Sequence, residues 1–183
     1  MGAKLVLVIH NVRSAHNVGS LLRSADGAGV TQVYLSGYSP VPARAAKEPV
    51  YYTKSEKEIA KTALGAERAL QWKRQGRIDV LQKLLRKAGY CCVALEQAQG
   101  SISLNTLAEI LDAGGTRPVA LLVGNEVRGI DARVLRKCDS VLELPMKGKK
   151  NSLNVAVAGG IALYGISDIL HIEPDGYQPN LFS

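Results

Sequence analysis

Three stretches of the 183-residue chain place polar, chemically competent side chains among glycine and asparagine, each directly after a short apolar run. The first runs from His10 through Asn11, Arg13, Ser14 and Asn17 to Arg23. Asn17 stands at the start of a helical pattern, where its side chain can cap an orphan backbone N–H. Arg23 falls under two helical turns later, beside an apolar stripe, and a guanidinium on a core-facing side must be paired. That spacing suits a functional arginine and a structural ion pair equally. The second stretch, Gly124-Asn125-Glu126-Val127-Arg128-Gly129, sets a carboxylate on flexible backbone at the end of a buried run; alone it reads as an ordinary turn. The third, Leu144-Pro145-Met146-Lys147-Gly148-Lys149-Lys150-Asn151-Ser152-Leu153-Asn154, joins a cationic loop to hydrogen-bonding side chains before a long apolar helix that Ser152 or Asn151 can cap. Its Gly-Lys-Lys lacks the spacing of a phosphate loop, and no GxGxxG occurs, which argues against a dinucleotide site and a nucleotide-binding oxidoreductase.

Other chemistries find little support. There is no CxxC or HExxH, and His10, His16 and His171 are scattered, so no metal is expected. The three cysteines include the neighbours Cys91 and Cys92 in an apolar stretch, which reads as buried reduced thiols and a cytosolic compartment. No run approaches the roughly 20 apolar residues of a membrane span, and the opening apolar run is too short for a signal peptide.

The elements that must position these residues follow from hydrophobic period. Lys4–Ile9, Gln32–Leu35, Cys91–Leu95, Pro118–Val123 and Val141–Leu144 read as strands, the first as one buried on both faces. Asn17–Gly29, Asp79–Ala88, Leu104–Leu111, Asp131–Arg136 and Leu153–Leu170 read as helices, with Gly29 a stop signal. Glu56–Lys73 reads as polar and partly helical, Gly37–Pro49 as a proline-bearing loop, and Val50–Tyr52 as extended. Alternating strands and helices predict an α/β fold with a mainly parallel sheet flanked by helices. In such sheets ligands bind beyond the carboxyl ends of the strands, where all three polar stretches fall.

The chain carries 23 Lys and Arg against 16 Asp and Glu, a net charge of +7. Between Lys61 and Lys87 eight basic residues face two acidic ones, nearly the whole excess. With Lys147, Lys149 and Lys150 this makes two basic clusters, which point to phosphate contacts. Aromatics are only 5% of residues, too few for a base-stacking platform.

Taken in order, Asn17-x5-Arg23 with Ala25 and Gly29, Leu122-Val123-Gly124-Asn125-Glu126 with Gly129, and Leu144-Pro145-Met146 with Ser152-Leu153-Asn154-Val155 resemble the three motifs of the SpoU (TrmH) family of RNA ribose 2′-O-methyltransferases. Lys61–Glu67 also looks like a stretch common in that family. The resemblance covers Lys4 to about Leu170. It implies a SPOUT fold with a C-terminal trefoil knot, one of the rare exceptions to unknotted topology. It also implies a cytoplasmic homodimer, S-adenosylmethionine as methyl donor and a site where two chains meet.

Carried over by motif, Arg23, Asn17, Glu126, Ser152 and Asn154 would be catalytic. Gly124, Leu122, Leu144, Met146 and Leu153 would contact the cofactor, and Arg13, Arg128, Lys147, Lys149 and Lys150 would face RNA. The catalytic domain is expected over 1–172, with 173–183 a tail. The accessory N-terminal RNA-binding module of many relatives is not expected, which favours tRNA over rRNA as substrate. The competing expectation is a non-catalytic RNA-binding or ribosome-assembly protein that retains the fold.

Overall fold

A computed structural model describes residues 4–43, 52–115 and 117–173. The Pro174–Ser183 tail, and the parts of the expected loop and extended segment that fall on 44–51, lie outside the described residues.

Six parallel strands form one sheet in the order β3-β2-β1-β5-β4-β6. They are β1 (Leu5–His10), β2 (Gln32–Ser36), β3 (Trp72–Gln75), β4 (Cys91–Leu95), β5 (Val119–Val123) and β6 (Ser140–Leu142). The helices are α1 (Ala15–Gly27), α2 (Lys54–Ala63), α3 (Ala66–Ala69), α4 (Ile78–Lys87), α5 (Leu104–Ala113), α6 (Ala132–Leu135) and α7 (Val155–Ile169). Every residue of β1 is buried, as its unbroken apolar run requires.

Because successive strand side chains point to opposite faces, β1 feeds two cores. Leu5, Leu7 and Ile9 pack with Val18, Leu21 and Leu22 of α1, Ile59 of α2, Leu107 of α5 and Leu163 and Ile166 of α7. Val6 and Val8 pack on the other face with Leu81 and Leu85 of α4 and Val134 of α6. Cys91 and Cys92 are buried free thiols, and burial pushes Cys92 up to about 12, so it stays protonated and inert.

Several boundaries differ from expectation. Helix α1 starts at Ala15, and its cap is Ser14, whose Oγ accepts from the Asn17 N–H at 3.3 Å. Asn17 is thus inside the first turn, with its side chain free for other work. Gly29 does stop the helix: it adopts φ +70, and Val30 N–H closes back to Ala25 O at 2.9 Å. Glu56–Lys73 divides into α2, a left-handed break at Leu64-Gly65, α3 and the start of β3. Strand β3 carries exposed Lys73 and Arg74 and pairs only with β2, so its polar sequence is that of a guarded edge rather than of a helix. Helix α7 is capped by Asn154, not Ser152 or Asn151; Asn154 Oδ1 accepts from Ala156 N–H at 2.9 Å. Strand β6 covers Ser140–Leu142, so Leu144 belongs to the loop that follows.

The chain leaves β1 toward β2 on one side of the sheet, while β5 lies on the other. The switch point thus falls between β1 and β5, where open sheets commonly have a crevice; here the loops after the two strands are bound to each other across it.

Candidate active site

Glu126, in the loop after β5, is where the crevice is tied together. Its carboxylate accepts the backbone N–H of Arg13 and of Ser14 and the Nδ2 amide of Asn17, each at 3.0 Å. The carboxylate thereby satisfies orphan donors at the start of α1. Burial alone would push the Glu126 carboxyl up, but these donors together hold it below the usual range, so it is ionised at neutral pH. Asn17 Oδ1 in turn accepts from Asn154 Nδ2 at 3.2 Å. The starts of α1 and α7 and the β5 loop thus meet through three side chains, one from each sequence motif.

Beneath them lies a buried scaffold. Asn125 Nδ2 donates to Asn11 O at 3.0 Å and to Tyr38 Oη at 3.1 Å, while its Oδ1 accepts from Val127 N–H at 2.9 Å and Arg128 N–H at 2.7 Å. Asn11 holds the left-handed conformation at φ 57; its Nδ2 donates to His10 Nε2 at 3.1 Å. That leaves the His10 proton on Nδ1, facing Ser36 Oγ at 3.1 Å, and makes the ring neutral. Burial pushes His10 below its usual range, against an opposing pull from Asp131.

A cleft of about 220 Å³ runs from this cluster between the β4 and β5 ends and the loop 143–154. Its lining includes Gly124, Glu126, Leu144, Met146, Ser152 and Leu153, so five expected site residues besides Glu126 converge there. Leu122 does not: it is buried in the sheet against the α4 face. The cleft also has residues given no role by motif: Glu96 and Glu143, outside the three motifs, and Asn125, within the second. Glu96 Oε2 accepts from Ile130 N–H at 2.9 Å and pins the β5 loop. A carboxylate following the last residue of a parallel strand was the available signal. A Cβ on Gly124 would collide with Ile130 and stand 3.0 Å from the Gly129 backbone, so this glycine is required first by the turn.

Arg23 departs from the core-facing expectation. It is exposed on α1, six residues or about 9 Å beyond Asn17, and does not line the cleft. Among the described residues it makes no ion pair, which removes the structural reason for a charge there. One turn further on, Gly27 packs against the Tyr164 hydroxyl of α7. Arg13, Arg128, Lys147, Lys149 and Lys150 are all exposed around the same end of the sheet. The eight basic residues from Lys61 to Lys87 are exposed too, but Arg77 is tied to Asp79 at 2.7 Å and Arg86 to Asp139 at 3.4 Å.

A six-stranded parallel sheet with apolar and carboxylate groups converging on a cleft over the carboxyl ends of β4 and β5 defines an α/β domain with a cleft of ligand size. No group of His, Cys, Asp and Glu that could hold a metal occurs among the described residues. Within them, no helix is long and apolar enough to cross a membrane.

Comparison with known proteins makes the class specific. The model of the SpoU rRNA Methylase family matches residues 4–164, and the chain belongs to that family. It is 30% identical over 160 residues to the 23S rRNA (guanosine-2′-O-)-methyltransferase of Vibrio parahaemolyticus, covering 87% of this chain and 57% of that enzyme. It is 30% identical over 164 residues to the tRNA (guanosine(18)-2′-O)-methyltransferase of Aquifex aeolicus, covering 87% and 67%. The AdoMet-bound rRNA methyltransferase of Sinorhizobium meliloti superposes with a TM-score of 0.77 at 26% identity, over 95% of this chain and 59% of that one. The fold is therefore that of the SPOUT methyltransferases.

Proposed function

We propose that this chain transfers a methyl group from S-adenosylmethionine to a ribose 2′-hydroxyl of a structured RNA, tRNA before rRNA. The observation that carries this reading is the Glu126–Asn17–Asn154 junction at the mouth of the cleft, which unites three motifs remote in sequence. The catalytic unit would span 1–172, with the trefoil knot in its C-terminal segment.

The cleft residues suit the donor. Leu95, Val123, Leu144, Met146 and Leu153 offer apolar walls for a purine, and Glu96, Glu126 and Glu143 set negative charge where a cationic sulfonium and ammonium would lie. When bound, S-adenosylmethionine supplies an electrophilic methyl group; the chain must supply position and charge. Backbone groups around Gly124, Leu144 and Leu153 would hold the cofactor, and Ser152 would complete the site with its hydroxyl.

Asn17, held from both sides, orients the ribose, and Glu126 fixes Asn17 rather than acting as a base, since its lone pairs are already engaged. The guanidinium of Arg23 is a fixed cation. It would pair with an RNA phosphate, position the 2′-hydroxyl and stabilise the alkoxide that forms there as the proton passes to solvent. Positioning of this kind supplies much of the barrier reduction. Lys147, Lys149, Lys150, Arg13 and Arg128 would contact phosphates around the mouth.

Arg23 reaches no cleft within its own chain, which supports a homodimer whose partner completes the site. Val157, Ile161 and Tyr164 of α7 form a stripe about half exposed, at helical spacing, on the helix that packs against α1 through Ser24 and Gly27. The small residues of α7 are used internally, Gly159 against Leu21 and Gly160 against Ser24, so the larger apolar residues are left for a second copy.

The test is methyl transfer from labelled S-adenosylmethionine to separate pools of unmodified tRNA and rRNA, beside Arg23→Ala. Label recovered as a 2′-O-methylnucleoside from one pool, and lost with the variant, is expected. Cofactor binding absent and no label in either pool would overturn the reading in favour of RNA binding alone.

A further inference from the structure

Resting on the RNA reading above, we infer that Tyr38 is the surface on which the base of the target nucleotide stacks. Tyr38 stands at the carboxyl edge of the sheet in the turn after β2, and its side chain is 56% exposed. Exposed aromatics are usually free to swing; this one is fixed at both ends. Its N–H donates to Asn11 Oδ1 at 3.2 Å, and its Oη accepts from Asn125 Nδ2 at 3.1 Å.

The turn itself is pinned to β1. Ser36 O accepts from Asn11 N–H at 3.2 Å and from Ser39 N–H at 3.3 Å, while Ser39 Oγ donates to Ile9 O and accepts from Val12 N–H, both at 3.1 Å. Gly37 takes φ +64 there, and any Cβ would collide with Asn11 Oδ1.

A large ring is thus displayed to solvent in one orientation, with its ordering cost already met by the fold. That is what a recognition contact needs and what core packing does not explain. The position is also right. Asn125 Nδ2, which holds the Tyr38 hydroxyl, is 3.5 Å from Glu126 Oε2, so the hydroxyl end of the ring is linked through one amide to the junction expected to hold the ribose.

Among the described residues, the other large exposed tyrosines are differently placed: Tyr164 belongs to the α7 stripe, and Tyr52 lies beside α2. A nucleotide whose ribose sits at Asn17 must put its base somewhere off the mouth, and an enzyme acting on a sugar inside a folded RNA gains by unstacking that base onto a ring. Stacking tolerates any base because each has a π-face. Tyr38 would therefore add affinity without choosing the base, consistent with a chain poor in aromatics having one such contact instead of a platform.

The experiment compares the full chain with Tyr38→Ala and Tyr38→Phe. RNA affinity is measured by filter binding on unmodified tRNA and rRNA transcripts, S-adenosylmethionine affinity by calorimetry, and folding by thermal melting. Transcripts carrying 4-thiouridine are crosslinked by light and the adducts mapped by mass spectrometry. Tyr38→Ala is expected to weaken RNA binding roughly 5- to 100-fold and leave cofactor affinity and melting unchanged. Tyr38→Phe should stay within about threefold of wild type, because the ring carries the contact, and the wild-type adduct should fall on the peptide containing Tyr38.

RNA binding by Tyr38→Ala equal to wild type overturns the assignment, as does Tyr38→Phe losing as much as Tyr38→Ala, which would place the effect in the tie to Asn125. If wild type transfers methyl groups and Tyr38→Ala matches it, only the stacking role fails. If wild type binds neither RNA nor cofactor, the functional reading fails and the stacking role with it.

Discussion

The side-chain amide of Asn154 donates to the side-chain carbonyl of Asn17 across 3.2 Å, joining two helix starts that lie 137 residues apart. Each asparagine has a second task. Asn154 caps α7 through its Oδ1, and Asn17 passes its own Nδ2 to Glu126. The three-residue junction is exposed, so its bonds add little to folding, yet it fixes the relative position of α1, α7 and the β5 loop at the cleft mouth.

Asn17→Ala and Asn154→Asp therefore separate placement from stability. Loss of exposed hydrogen bonds costs about 1 kcal/mol or less, so Asn17→Ala should melt within a few degrees of wild type. Methyl transfer should fall about 100-fold, the scale of an ångström of misplacement. Asn154→Asp keeps the cap acceptor and loses the donor to Asn17, so it should lower transfer and spare α7. Single-turnover rates beside thermal melts check both; equal loss of rate and stability would refute the positioning role.

His10 gives the fold a pH dependence with a definite sign. Its folded-state value lies below the ordinary range because the ring is buried, although Asp131 opposes the shift. Above about pH 6.5 the ring is neutral in both states and contributes nothing to pH dependence. As pH falls below that, the unfolded chain takes a proton that the folded ring refuses, and stability declines until the folded value is reached. A proton on Nε2 would also oppose two donors, since Asn11 Nδ2 points there. Wild type should lose melting temperature as pH falls from about 6.5 toward 5, and His10→Gln should lose less over the same span. Parallel curves for the two proteins would refute the assignment.

Much of this was legible in residue pattern, because apolar periodicity reports burial directly. β1, β5, α4 and the Gly29 stop are where an apolar run, an amphipathic stripe and a left-handed glycine require them. Strand β3 was not legible: Trp72-Lys73-Arg74-Gln75 has no strand period of its own and is ordered by pairing with Val33–Ser36. Motif spacing found Glu126, Asn17 and Asn154, but could not say that Glu126 binds the start of α1 or that Ser14 takes the capping role. Arg23 directly follows the buried pair Leu21 and Leu22, so in sequence the apolar stripe looks wide enough to include it, yet the side chain faces solvent. Leu122 and Gly124 show a different limit. Two positions apart in a motif, they separate in space because β5 ends at Val123: Leu122 is still a strand residue packed on the α4 side, and Gly124 already belongs to the loop at the cleft.

Gly124→Ala tests whether the cleft tolerates any side chain at its floor. The added Cβ meets Ile130 and the Gly129 backbone, and backbone cannot yield as a flexible side chain can. The turn held by Glu96 and Asn125 must then shift, at a cost of about 1–3 kcal/mol. A lower melting temperature and weaker S-adenosylmethionine binding are expected together, the second read by calorimetry at a temperature where the variant is folded. Full cofactor affinity in Gly124→Ala would show that the cofactor does not depend on this turn.

The exposed α7 stripe makes a prediction about assembly and catalysis at once. Ile161→Asp puts a charge at the middle of Val157, Ile161 and Tyr164 and should convert a dimer to a monomer in sedimentation, with the fold retained because Ile161 faces solvent in one chain. Transfer should fall with the dimer, since Arg23 lines no cleft in its own chain. Mixing inactive Arg23→Ala with inactive Asn154→Ala gives a sharper answer. If each site takes Arg23 from one protomer and Asn154 from its partner, half of the randomly mixed dimers hold one intact site, and about a quarter of wild-type activity returns. If both residues act from one chain, every mixed dimer has one damaged residue in each site and activity stays absent. Recovery on mixing would therefore place the active site between two copies of the chain, and its failure would return Arg23 to the cleft of its own protomer.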